Sequence, residues 1–120
     1  MSLNQIILYV ENIQQTVSLY TDLLDCSPIE LHPSYASFQL ESGYTLAFWD
    51  IKEVKPEAMG SNRALELVFQ LPTKQAVNQC FASWQQKLTI AQEPQTLDFG
   101  YTFTALDNNK NRLRVYASHE

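Results

Sequence analysis

Ile7-Leu8-Tyr9-Val10 near the start of the chain, and Val68-Phe69-Gln70-Leu71 at a register shift of 61, are the two stretches whose reading decides the fold. Both are rich in residues that suit a pleated strand. Each is followed by a polar residue able to cap a helix, Asn12 in the first case and Thr73 in the second. Behind Asn12, Val17, Tyr20 and Leu24 share one helical face; behind Thr73, Val77, Phe81, Trp84 and Leu88 recur at i, i+4, i+7 and i+11. The shift of 61 lays Tyr20 on Phe81 and Leu23 on Trp84. After each helix the apolar period changes from helical to alternating, punctuated by Pro28 and Pro33 in the first half and Pro94 in the second. Three strands are expected each time. The first set is Ile29 to Leu31, Tyr35 to Leu40 and Tyr44 to Asp50, the last two joined by a hairpin at Glu41-Ser42-Gly43. The second set is Thr89 to Glu93, Tyr101 to Leu106 and Arg112 to Ala117, with a polar turn at Asp107-Asn108-Asn109-Lys110. The later elements are offset by 66 or 67, which predicts a longer connection around Glu93 to Phe99.

The fold class is therefore α+β, two βαβββ modules forming mixed sheets in one domain over 1–120: module one at 1–51, a linker at 52–62 containing Pro56 and Gly60, and module two at 63–120. A chance likeness between two α+β stretches would leave the matched order and punctuation unexplained.

Composition excludes several classes of function. A net charge of −5 argues against nucleic acid, since phosphate binding needs clustered Lys and Arg. The longest apolar runs, such as Ile6 to Val10, are too short to span a membrane. Met1 to Asn4 carries no signal-peptide pattern, so a cytoplasmic location is expected. Cys26 and Cys80 lack CxxC spacing and are read as buried or half-buried thiols. Three glycines leave no phosphate-cradling loop, and no Ser/His/Asp or Cys/His set is visible.

The strings Ile7-Leu8-Tyr9-Val10-Glu11-Asn12-Ile13 with Leu19-Tyr20-Thr21-Asp22-Leu23-Leu24, and the closing Asp107-Asn108-Asn109-Lys110-Asn111-Arg112-Leu113-Arg114-Val115-Tyr116, resemble the vicinal oxygen chelate superfamily of glyoxalase, bleomycin-resistance and dioxygenase proteins. A closer likeness is to its phenazine antibiotic resistance branch. It rests on Tyr35-Ala36-Ser37-Phe38, Leu46-Ala47-Phe48-Trp49, Leu71-Pro72-Thr73, Trp84, Glu93-Pro94 and Asp98-Phe99-Gly100-Tyr101-Thr102-Phe103. The resemblance implies cup-shaped sheets, a homodimer, and in metal-using members four ligands converging from the first and last strands of both modules. Those four positions hold Gln5, Ala47, Glu66 and Arg114 here. Ala47 has no donor atom and Arg114 brings a permanent positive charge, so no metal and no other cofactor is expected. Two readings of Glu66 stay open: a pair with Arg114, which could then also hold an acidic or carbonyl group of a ligand, or a buried base with a raised pKa.

Side chains alternate along a strand, so Thr45 and Trp49 share the face of Ala47. A small residue beside a large indole suits a flat ligand stacked on Trp49, the position where the resemblance also puts such a residue; ordinary core packing or a dimer contact is the plainer account. Phe99 and Tyr101, flanking Gly100, are candidates to enclose a ring or else simply to pack a strand start, and Gly100 permits close backbone approach. Tyr35, Ser37 and Phe38 are further candidates whose inward-facing members the sequence does not fix, and Trp84 is assigned to the core. The expected function is metal-free binding of a planar aromatic compound or antibiotic. The expected ligand-binding residues are Gln5, Tyr35, Phe38, Ala47, Trp49, Glu66, Phe99, Tyr101 and Arg114, with no catalytic residues. The alternative is a metal-dependent lyase, transferase or dioxygenase.

Overall fold

The computed structural model describes residues 1–60 and 64–119. The chain divides into two compact units, Met1–Ser61 and Asn62–Glu120. Residues 61–63, where the end of the expected linker and the start of module two fall, lie outside the described residues.

In the first unit, strand β1 (Gln5–Val10) leads into helix α1 (Ile13–Leu24), followed by β2 (Glu30–His32), β3 (Tyr35–Gln39) and β4 (Thr45–Asp50). Asn12 caps the helix, its side chain accepting from the Gln15 N–H at 2.9 Å. The chain leaves through Asp25 in the left-handed region. The sheet order is β1-β4-β3-β2, with β1 and β4 parallel and the other pairs antiparallel. The β3–β4 hairpin closes through Gly43, at a φ of +96° that suits glycine. A 3-10 turn, Ile51–Glu53, opens the segment expected as linker, and Val54 behind it is buried, so part of that segment packs as structure in the first unit.

The second unit repeats this order. Strand β5 (Glu66–Gln70) and helix α2 (Lys74–Trp84) are followed by β6 (Thr89–Leu97), β7 (Gly100–Leu106) and β8 (Arg112–Ser118). The sheet order is β5-β8-β7-β6, again with one parallel pair, β5 with β8. Thr73 caps α2 by accepting from the Ala76 N–H at 3.0 Å. The chain is thus α+β with two four-stranded mixed sheets. The expected long connection at Glu93 to Phe99 is instead mostly strand. Its extra residues are taken up as pairing irregularities in the edge strand β6, between Ile90 and Gln92 and between Gln92 and Gln95. Pro94, which has no N–H to donate, sits at the second of these.

One face of each sheet packs on its helix, because the helical stripe and the alternate strand residues both need to leave water. In the first unit Tyr20 lies against Phe48 with ring centroids 4.6 Å apart, and Leu8, Val10, Ala36, Phe38 and Leu46 complete this buried layer. In the second, Phe103 receives both Phe81 and Trp84 edge-on, at 5.4 and 5.8 Å, with Leu113 and Val115 buried beside it. No described helix is long and apolar enough to cross a membrane. Cys26 and Cys80 are free thiols, both half-buried, and burial pushes the Cys80 thiol up to about 11.

Candidate ligand-binding faces of the two sheets

With one face of each sheet given to a helix, the opposite face is where side chains are free to meet a ligand. On the first sheet the strand pairing places Gln5, Ile7, Tyr9, Tyr35, Ser37, Thr45, Ala47 and Trp49 on that face, since Phe48, Phe38 and Leu8 take the other. Trp49 is half-exposed and meets Tyr9 edge-on at 6.3 Å, from the neighbouring strand. Tyr35 stands opposite Trp49 in the register, and its hydroxyl accepts a 2.9 Å hydrogen bond from Gln5 Nε2. Ile7, beside Ala47 in the register, is 41 % exposed, so this face is open there and carries apolar surface among its polar groups.

Two expectations for the first module need correction. Phe38 is not a ligand residue: it is fully buried, edge-on to Phe48 at 6.1 Å, on the helix side of the sheet. Strand alternation settles what the sequence left open, giving Tyr35 and Ser37 to the open face and Phe38 to the core. Ala47 does lie on the open face, but its methyl has no exposed surface, so a ligand stacked on Trp49 would not touch it unless neighbouring side chains moved.

On the second sheet the open face carries Glu66, Val68, Thr102, Thr104, Arg112, Arg114 and Tyr116. Its centre is an ion pair: Arg114 Nε donates to Glu66 Oε1 at 2.8 Å and Nη2 to Oε2 at 2.9 Å, the bidentate fork geometry that makes such pairs strong. Arg114 Nη1 also donates to Thr102 Oγ at 3.3 Å, and Thr102 donates onward to the Val115 carbonyl at 2.8 Å. Phe99 closes one side, its ring centroid 5.5 Å from the Arg114 guanidinium carbon and 5.7 Å from the Tyr116 ring. Arg112 lies 4.0 Å from Glu66 Oε2. The hydrogen bonds from Arg114, acting against burial, hold the Glu66 carboxyl below its usual range. Glu66 is therefore an ionised, doubly occupied carboxylate and not a base with a raised pKa.

Tyr101 also differs from its expected place. Its parity puts it on the helix side with Phe103, where its hydroxyl donates to Asn78 Oδ1 at 2.7 Å and Lys74 Nζ lies 4.7 Å above its ring. Tyr101 thus ties β7 to α2. Tyr101→Phe should lower stability by about 0.5–1 kcal/mol through loss of that hydrogen bond, with no change in ligand affinity, as checked by paired denaturant and binding titrations. Gly100 does allow a close backbone approach, but toward β8: a Cβ there would run into the Ala117 carbonyl oxygen.

Tyr116 is the functional candidate that sequence reasoning missed. The offset of 67 that carries β4 onto β8 lays Trp49 on Tyr116 and Ala47 on Arg114, so the repeat contained the signal. The four positions that hold a metal in the resemblance do not fit a divalent ion here. Ala47 offers no donor, Gln5 is bonded to Tyr35, and both Glu66 oxygens are engaged by Arg114. Among the described residues no three His, Cys, Asp or Glu side chains cluster as a metal site.

Paired βαβββ units with these sheet orders define the fold of the glyoxalase/bleomycin resistance/dioxygenase proteins. The structural neighbours include a glyoxalase-related enzyme from Fulvimarina pelagi (12% identity, TM-score 0.87, covering 98% of this chain and 88% of that one). A glyoxalase/bleomycin resistance protein/dioxygenase from Nocardioides is also similar (16% identity, TM-score 0.84, covering 100% and 85%). At higher identity, the chain is similar to protein ATC0852 from Agrobacterium tumefaciens, solved by solution NMR, with 35% identity over 100% of both chains and a TM-score of 0.86. The chain belongs to one family with ATC0852, whose name states no activity. No protein-family model matches the chain, and no curated protein matches it significantly.

Proposed function

We propose that this protein is a metal-free member of the glyoxalase superfamily that binds a planar aromatic compound, in the manner of the bleomycin- and phenazine-resistance proteins. It would act as a cytoplasmic homodimer that sequesters its ligand without transforming it. The observation that carries this reading is the half-exposed indole of Trp49, held edge-on by Tyr9 on a sheet face that the helix leaves free. A flat ring stacked there gains about 0.5–1.5 kcal/mol beyond simple burial. Support for a dimer comes from β1, an edge strand on which Ile6, Ile7 and Tyr9 are all about 40 % exposed.

The test is a tryptophan-fluorescence titration with phenazine. Trp84 is buried against Phe69 and Phe103, so the quenched emission should come from Trp49. Quenching at micromolar ligand is expected in the wild type, and Trp49→Ala should weaken binding roughly tenfold when followed by calorimetry. Absence of quenching, or equal affinity in the variant, would defeat the proposal. The metal-dependent alternative predicts a stoichiometric transition metal in protein purified without chelator, and the occupied Glu66 and donorless Ala47 speak against it.

A further inference from the structure

We propose that the open face of the second sheet is itself a binding site for an aromatic carboxylate, with Arg114 and Thr104 reading the acid group and Phe99 with Tyr116 forming the wall for the ring. The inference shares with the function proposed above only the flatness of the ligand; it does not depend on Trp49.

Three independent observations carry it. First, Arg114 is held in place but not used up. Its bonds to Glu66 and Thr102 occupy one N–H each on Nε, Nη1 and Nη2, which leaves one N–H on Nη1 and one on Nη2 of the five it owns. The side chain is 16 % exposed, so it keeps some surface on this face. A guanidinium fixed by a carboxylate on one side and stacked by Phe99 loses little freedom when it takes a second carboxylate, which favours tight charge-assisted bonds. Second, Thr104 stands opposite Arg114 in the β7–β8 register, 2 % exposed, and its hydroxyl has no hydrogen-bond partner among the described residues. A buried hydroxyl without a partner is costly and uncommon, and a ligand oxygen would satisfy it once the side chains that cover it moved aside. Third, the ion pairs described on this face set two guanidiniums, Arg112 and Arg114, against the one carboxylate of Glu66. The face is locally positive there in a chain whose net charge is −5. An anionic ligand is matched here and disfavoured over the rest of the surface.

The test compares 2-naphthoate with its neutral isostere 2-naphthamide by calorimetry. Wild type should bind the acid at least about tenfold more tightly than the amide, as expected when a charge-assisted hydrogen bond replaces a neutral one. Thr104→Val keeps the shape and removes only the hydroxyl. It should weaken naphthoate binding about fivefold while leaving the melting temperature unchanged or raised, a combination that a purely structural role cannot produce. Replacing the pair together, Glu66→Gln with Arg114→Gln, removes both partly buried charges, leaves only the mostly exposed Arg112 without its carboxylate, and should remove most of the preference for the acid. Equal affinity for the two probes, no binding of either at millimolar concentration, or unchanged naphthoate affinity in Thr104→Val would each overturn the inference. If phenazine still quenches Trp49 in those cases, the function proposed above stands and only the acid site falls.

Discussion

Gly100→Ala should lower the stability of the protein by about 3–5 kcal/mol, the largest effect expected from alanine at any of its three glycines. The first residue of β7 sits at a φ of +147°, a conformation that side-chain-bearing residues adopt at a cost of roughly 1–3 kcal/mol. The added Cβ would also collide with the Ala117 carbonyl, which is backbone of the adjacent strand and cannot swing aside. Forcing extra volume into a packed site costs about 1–3 kcal/mol more. Gly43 provides the control: its φ is also positive, +96°, but a Cβ there meets nothing within 4 Å, so Gly43→Ala should cost only about 1 kcal/mol. Denaturant unfolding would show the difference as a displaced midpoint at unchanged slope. A Gly100→Ala variant within about 1 kcal/mol of wild type would mean that β7 and β8 can separate there at little cost. The consequence reaches the candidate site, because Gly100 fixes the turn that holds Phe99 against Tyr116 and Arg114.

The second large effect concerns the ion pair at the centre of the second sheet. Arg114→Met should cost about 2–3 kcal/mol at neutral pH, because it leaves the partly buried Glu66 carboxylate without its two charge-assisted hydrogen bonds. Arg112, 4.0 Å away and more than half exposed, compensates only weakly. Glu66→Gln should cost less, since an amide oxygen can still accept from the guanidinium. The sign of the pH dependence follows from the direction of the Glu66 shift. Its carboxyl lies below its ordinary value of 4.5 in the folded protein, chiefly because Arg114 donates to it. The pair's contribution is therefore complete above that ordinary value and is lost as pH falls through the lower folded value. Acidification should shrink the gap between wild type and Arg114→Met, and Glu66→Gln should flatten the acid limb of the stability profile. Thermal melts between pH 7 and pH 3 measure both. A gap that widens toward acid would show that Glu66 is not the ionised partner.

Much of the fold was legible because its signals are local. The spacing of Tyr20, Val77 and Phe81, the caps Asn12 and Thr73, and the alternation on either side of Gly43 each act within a few residues, and an offset near 61 or 67 repeats them. The same locality explains the errors. Glu93 to Phe99 contains Pro94 and reads as a loop, but an edge strand tolerates a proline and absorbs extra residues as irregular pairing. Phe38 and Tyr101 read as cavity residues because a strand's pattern gives two alternating sets without saying which set meets the helix.

The sequence by itself determined the repeated βαβββ order, the absence of a donor at Ala47 and the positive charge that Arg114 brings to its position, since these follow from residue identity and spacing alone. Only the tertiary structure decided which face of each strand is free, that both oxygens of Glu66 are taken by Arg114, that Tyr101 belongs to α2 and that Tyr116 joins Phe99. The physical reason is that facing depends on which side of a sheet its helix covers, and that is fixed by contacts between residues far apart in the chain.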